Sequence, residues 1–173
     1  NSIISGITEV VSRFGKIIVL EDDIVVSKEF LGFMNEALCL YEFKEKVFGI
    51  SGYSYPSACV DLPETFFLHM GSSWGWATWK RAWDNYNINS IELVDKIRIN
   101  GTISKFNVGG YPFFNMLIEQ QKPIPDTWDI QWYASIFLAD GLFLFPRTSL
   151  SKNIGFDNSG VHCNEDNYFE NQI

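Results

Sequence analysis

Lys16-Ile17-Ile18-Val19-Leu20-Glu21-Asp22-Asp23-Ile24-Val25-Val26-Ser27 is the stretch whose reading decides the fold. An apolar run, Ile17 to Leu20, ends abruptly in three carboxylates. The run is largely β-branched and uninterrupted, as in a strand buried on both faces of a parallel sheet. The acids then fall at the carboxyl end of that strand, where open α/β sheets place their ligands. Adjacent carboxylates repel one another and need a cation, basic partners or open water to offset them. Two readings follow. Hard oxygen ligands suit Mg²⁺ or Mn²⁺ held by one or two carboxylates together with substrate phosphates. The alternative is a solvated turn whose last acid helps to start the next helix.

Outward from this stretch, the pattern is α/β. Ile3, Ile4, Ile7, Val10, Val11 and Phe14 share one stripe at helical spacing, so residues 2–14 are expected to be a helix, ended by Gly15. Ser27 is placed as an N-cap, with Glu29 in the first turn. Phe30, Met34, Ala37, Leu38 and Tyr41 mark the buried face of a helix running to about Lys44. Val47 to Ser51 and Phe66 to Leu68 read as strands, with loop at 57–65. Gly71-Ser72-Ser73-Trp74-Gly75-Trp76-Ala77-Thr78-Trp79 shows no clear period and reads as a loop turning into a helix through Lys80, Arg81 and Trp83. Helices are expected at 91–99, 112–121 and from Trp128 to Ala139, the last capped by Asp126 or Thr127 and closed by Gly141. Leu142 to Phe145 reads as a strand stopped by Pro146, and the remainder as a polar tail. Helix–strand–acidic turn–helix–strand is the α/β pattern.

The chain of 173 residues suits one domain with a real core. Its net charge is 13 − 21 = −8, without a basic run, which argues against nucleic acid as a partner. Cys39, Cys59 and Cys163 lack a C-x-x-C spacing and read as free thiols in a reducing compartment. No apolar stretch approaches the ~20 residues of a membrane span, and no signal peptide is visible. Of the six Trp, Trp79 and Trp83 read as core. Trp74 and Trp76, set among Gly and Ser, read as pocket walls suited to stacking on sugars. His69 reads as structural. Arg81 or Arg147 could meet a diphosphate, with a solvated face as the default for both.

Taken together, Ile18-Val19-Leu20-Glu21-Asp22-Asp23, Ser51-Gly52-Tyr53, Ser73-Trp74-Gly75-Trp76-Ala77-Thr78-Trp79, Trp128-Asp129 with Trp132, and Asn153-Ile154-Gly155 resemble a nucleotide-sugar glycosyltransferase of GT-A fold. The likeness is to bacterial family-2 sugar transferases that build surface polysaccharides, and more distantly to the N-acetylglucosaminyltransferase I group. It implies a Rossmann-like sheet with flanking helices and roles for particular residues. Asp23 matches the acid that binds Mn²⁺ or Mg²⁺. Glu21 and Asp22 match acids that contact the ribose or the metal's waters. Asp129 matches the catalytic base, and His162 a metal-side histidine. Trp74, Gly75 and Trp76 match the segment lining the sugar and acceptor pocket.

The implied reaction is inverting transfer from a UDP-sugar to a glycan or lipid-linked acceptor. It would take place in the cytoplasm, peripherally at the inner face of the membrane. The family's domain opens with a β-α-β unit that holds the base, whereas here only a helix precedes the acid strand. The chain thus resembles a partial catalytic domain, and its open sheet edge is expected to self-associate. Two other classes compete. A Mg²⁺-dependent phosphatase or nuclease would want acids at further strand ends, but the strands at 47–51 and 142–145 end at Ser51 and Pro146. A non-catalytic glycan-binding module would use the Trp-rich stretch alone.

Overall fold

The computed structural model describes residues 2–55, 61–121 and 127–155. It is a mixed α/β structure with a five-stranded sheet flanked by helices. Helix α1 (Ser2–Phe14) buries Ile7 and Val11 on its apolar stripe. Gly15, at φ 78°, turns the chain out of it and donates its N–H to the Val11 carbonyl at 2.8 Å. A positive φ of this kind is the ordinary glycine ending of a helix. Strand β1 (Lys16–Val19), β2 (Ile24–Val26), α2 (Phe30–Leu40), β3 (Val47–Ser51), β4 (Thr65–Leu68) and β5 (Trp76–Trp79) follow. Then come α3 (Lys80–Trp83), α4 (Ser90–Ile99), α5 (Ile103–Phe106), α6 (Phe113–Glu119), α7 (Asp129–Leu138), β6 (Leu142–Pro146) and β7 (Ser151–Asn153).

The large sheet has the order β1-β5-β3-β6-β4, and β2 pairs with β7 in a separate two-stranded ribbon. Only β3 and β6 run parallel; the other pairs are antiparallel. The expectation of a central parallel strand at 17–20 is therefore corrected. β1 lies at the edge, antiparallel to β5. Its apolarity has another cause. Ile17 packs into the cluster under α1 and Ile18 into the cluster under α2, so both faces are covered, while on one side no strand pairs with β1 among the described residues. An unbroken apolar run reports covered faces and says nothing about lateral neighbours.

The stretch expected as a Trp-rich loop holds β5, second in the sheet and buried at all four residues. Its side chains alternate as a strand requires. Trp76 joins the cluster with Trp83, Trp128, Trp132, Phe143 and Phe145. Ala77 and Trp79 join Phe30, Met34, Ile50 and Leu144 on the other face, under α2. A further cluster around Phe106, Leu117 and Tyr133 binds α4, α5, α6 and α7 together. Other boundaries shift modestly. α2 stops at Leu40, where the Tyr41 N–H bonds the Ala37 carbonyl. Trp128, with no side-chain cap, stands where Thr127 was expected, and Asp126 lies outside the described residues. Asp140, at φ 53°, rather than Gly141, makes the left-handed exit from α7. No helix among the described residues is long and apolar enough to cross a membrane.

Gly49 marks the tightest crossing of the sheet. A Cβ there would overlap the wholly buried Phe143 ring. Gly49→Ala is expected to destabilise the fold by about 1–3 kcal/mol, the usual cost of overpacking. Urea unfolding measures this, and a midpoint equal to the parent's would mean that the ring can move aside freely.

Candidate functional site

The antiparallel pairing of β1 with β5 sets Val19 opposite Trp76. The next residue, Leu20, then lies against Gly75, whose φ is 76° and whose Cβ, if it had one, would sit 3.3 Å from Leu20 Cδ2. The acids therefore emerge beside the 71–75 loop. Their turn is closed by the Ile24 N–H donating to the Glu21 carbonyl at 3.1 Å. The β2–β7 ribbon then clips it. Ile24 pairs with Asn153, and the Ile154 N–H donates to the Asp23 carbonyl at 2.9 Å. A Cβ on Gly155 would come within 2.7 Å of Asp23 Oδ2, so a side chain there would displace the Asp23 carboxylate. Ser151 Oγ donates to the Trp74 carbonyl at 2.6 Å, fastening the ribbon to the loop before β5.

Asp129 reaches the same place by another route. α7 leads into β6, and β6 is parallel to β3, so the start of α7 lies at the carboxyl ends of those strands. Trp128 stacks on Trp76, ring centroids 5.5 Å apart and 25° from parallel. The next residue is then held within electrostatic reach of the acid turn. The Glu21 carboxyl is pushed up to about 7, first by burial, then by the charges of Asp23, Asp129 and Asp22. Asp129 is itself raised by burial, against hydrogen bonds from the Ile130 N–H at 2.9 Å and from the Thr127 side chain. Position in a first helical turn favours a low pKa; burial outweighs it here.

The Asp129 charge also acts on two phenols. Tyr55 and Tyr86 are both raised by burial first, with the Asp129 charge adding to the shift in each. Beside them is a cavity of ≈ 60 Å³, lined by Asp129 with Tyr55, Gly71, Ser72, Ser73 and Trp132 among others. Sequence reasoning did not single out Tyr55, Tyr86 or the cavity role of Trp132. The available signal was the spacing of Asp129 and Trp132, three apart on one helix and so on one face.

Of the expected residues, Glu21, Asp23 and Asp129 come together, and Asp22 is exposed on the same turn. Trp74 is half-buried, its ring edge-on to Tyr53 at 4.5 Å, and it is not among the residues lining the cavity beside Asp129. Gly75 shapes the turn and accepts the Gly52 N–H at 2.7 Å. Trp76 is a correction: at 0% exposure it is core and walls no pocket, because strand alternation turns it inward. Arg81 lies over Trp79 and donates to the carbonyls of Tyr41, Glu42 and Val47, closing the end of α2 rather than facing the acids. Arg147 donates to the Leu62 carbonyl at 3.2 Å. His69 contacts the Gly141 carbonyl at 3.0 Å, in keeping with its structural reading. His162 lies outside the described residues.

A divalent cation, implied by the family likeness, can be tested against the donors present. Asp23 Oδ1 is buried and has no hydrogen-bond partner among the described residues. An orphaned carboxylate oxygen in that setting fits a cation ligand. Among the described residues no group of three His, Cys, Asp or Glu could hold a metal by itself. No protein-family model matches the chain, and no curated protein matches it.

The raised Glu21 carboxyl has a consequence for stability. Its proton is held more tightly in the folded state than at the ordinary 4.5. The metal-free protein therefore loses stability as pH rises through the window from 4.5 to about 7, and the whole penalty is present above it. Glu21→Gln removes the charge. Its melting temperature is expected to exceed the parent's at pH 8, with the gain vanishing near pH 4. Thermal melts across that range check the sign, and a gain that grew toward acid pH would contradict the assignment.

Proposed function

We propose that this chain carries the catalytic acids of a metal-dependent, inverting glycosyltransferase of GT-A fold. It transfers a sugar from a nucleoside diphosphate, a UDP-sugar, to a hydroxyl of a glycan or lipid-linked acceptor in surface polysaccharide synthesis, at the cytoplasmic face. The observation that carries this reading is the meeting of Glu21-Asp22-Asp23 and Asp129 at one end of the sheet, beside a small aromatic cavity. On this reading the open side of β1 is where a β-α-β unit for the nucleotide base would pair.

Asp23 is the residue to hold Mn²⁺ or Mg²⁺ through its orphaned Oδ1, with Asp22 alongside. The bound ion supplies positive charge to the departing diphosphate. Asp129 is the base. It accepts the proton of the acceptor oxygen as that oxygen attacks the anomeric carbon from the face opposite the leaving group, so the configuration inverts. Burial raises the proton affinity of Asp129, which a base acting near neutral pH needs. The rings of Tyr55 and Trp132 narrow the space around it and limit the water that could compete with the acceptor.

Two variants of the full-length protein test the roles separately. Asp23→Ala is expected to abolish binding of UDP in the presence of Mn²⁺. Unchanged affinity by titration calorimetry would remove this acid from the metal site. Asp129→Asn keeps the shape and one accepting oxygen. It should bind Mn²⁺·UDP as the parent does, while turnover of a UDP-sugar falls by the ~10²–10⁴ typical of a lost general base. Near-parental turnover would reduce Asp129 to a first-turn helix residue.

A further inference from the structure

Trp132 carries a polar group that the fold does not use. Its side chain is 1% exposed, and its Nε1–H has no hydrogen-bond partner among the described residues. Buried donors are rarely left unpaired, and each exception calls for a cause. Trp76 Nε1 and Tyr86 Oη also have no partner among the described residues, but neither residue is among those lining the cavity beside Asp129. Trp132 does line it. Its orientation is marked by Gly71, another lining residue: a Cβ built there would lie 3.9 Å from Trp132 Cδ1, the ring carbon bonded to Nε1. The five-membered ring of the indole, which carries Nε1, is thus the part of Trp132 nearest Gly71. Asp129 and Trp132 are three residues apart on α7, hence on one face of it.

We infer that Trp132 recognises the attacking group of the acceptor, and that the pair Asp129–Trp132 selects a neutral hydroxyl over an amine. This rests on the transferase reading above for what the hydroxyl then does, but not for its binding. An ionised carboxylate only accepts hydrogen bonds and an indole N–H only donates. One oxygen that donates to Asp129 and accepts from Trp132 satisfies both. An alcohol is such a group. An ammonium has three donors and no acceptor, so it would satisfy Asp129 and leave the buried indole N–H unpaired, a costly arrangement in a site with little water. The aromatic walls add an apolar surface for the carbon skeleton that bears the hydroxyl. Trp132 is a specificity residue on this account, and Asp129 remains the catalytic one.

The test uses cyclohexanol and cyclohexylammonium as shape-matched probes, with the full-length protein labelled with ¹⁵N. The Trp132 indole resonance, assigned through the sequential connectivities of α7, is expected to shift on titration with cyclohexanol and to stay in place with cyclohexylammonium. Trp132→Phe keeps the ring and removes the donor. It should weaken cyclohexanol binding roughly tenfold, the loss of about one hydrogen bond. A Trp132 resonance unmoved by cyclohexanol in the parent protein, or moved equally by both probes, would overturn the inference whether or not the variant folds. An alcohol-selective shift in a protein that fails to bind Mn²⁺·UDP would leave this hydroxyl site standing and remove the transferase reading instead.

Discussion

The stacking of Trp76 on Trp128 joins the two halves of the candidate site, and the rest of the site's geometry depends on it. Trp76 begins β5, whose pairing with β1 positions the acid turn. Trp128 is the residue before Asp129. One aromatic contact, centroid to centroid 5.5 Å, therefore links the register of the sheet to the start of α7. Trp83 and Trp132 lie within 6.1 Å of Trp76 on the same side. Such a cluster buries a large apolar area and prefers particular ring orientations. Rigid support of that kind is what carboxylates need if they are to be held near one another at all, since their mutual repulsion works to separate them.

That repulsion divides the acids by environment. Asp22 is exposed, so water screens it. Asp23 is clipped by the ribbon, with one oxygen left unpaired. Glu21 and Asp129 share the less hydrated interior side, and burial is the first cause of the raised proton affinity in both. Carboxylates in different settings can do different chemistry at one pH, one as a ligand and another as a base.

Much of this was legible in the residues. The apolar stripe of 2–14 and the buried face of α2 follow from spacing, because each is an amphipathic helix with one covered face; the helix leading into Gly141 is buried from Ile130 to Ile136 and was legible from its start and stop residues instead. The acid turn at the end of β1 was legible for the same reason that its strand was misplaced: Ile17-Ile18-Val19 reports burial, not position in the sheet. β5 was hidden because all four of its residues are buried, which erases the alternation by which a strand is recognised. β2 and β7 have three residues each, and Ser151-Lys152-Asn153 has no apolar signal; the ribbon exists through tertiary pairing. The nearness of Asp129 to Glu21 came only from a family likeness, since no local rule connects positions so distant in the chain. The unpaired indole of Trp132 is a property of packing and leaves no trace in composition.

The ribbon that clips the acid turn joins residues 24–26 to residues 151–153, far later in the chain. Residues 24–26 and 151–153 leave the ribosome far apart in time, by roughly 6–25 s at ordinary rates of synthesis. Throughout that interval the acid turn has no β7 to pair with, and Asp23 has neither the Ile154 amide nor the close backbone of Gly155 beside it. Closing so long a loop also places the pairing among the slower events of folding. The acid turn is thus made well before the segment that finishes it.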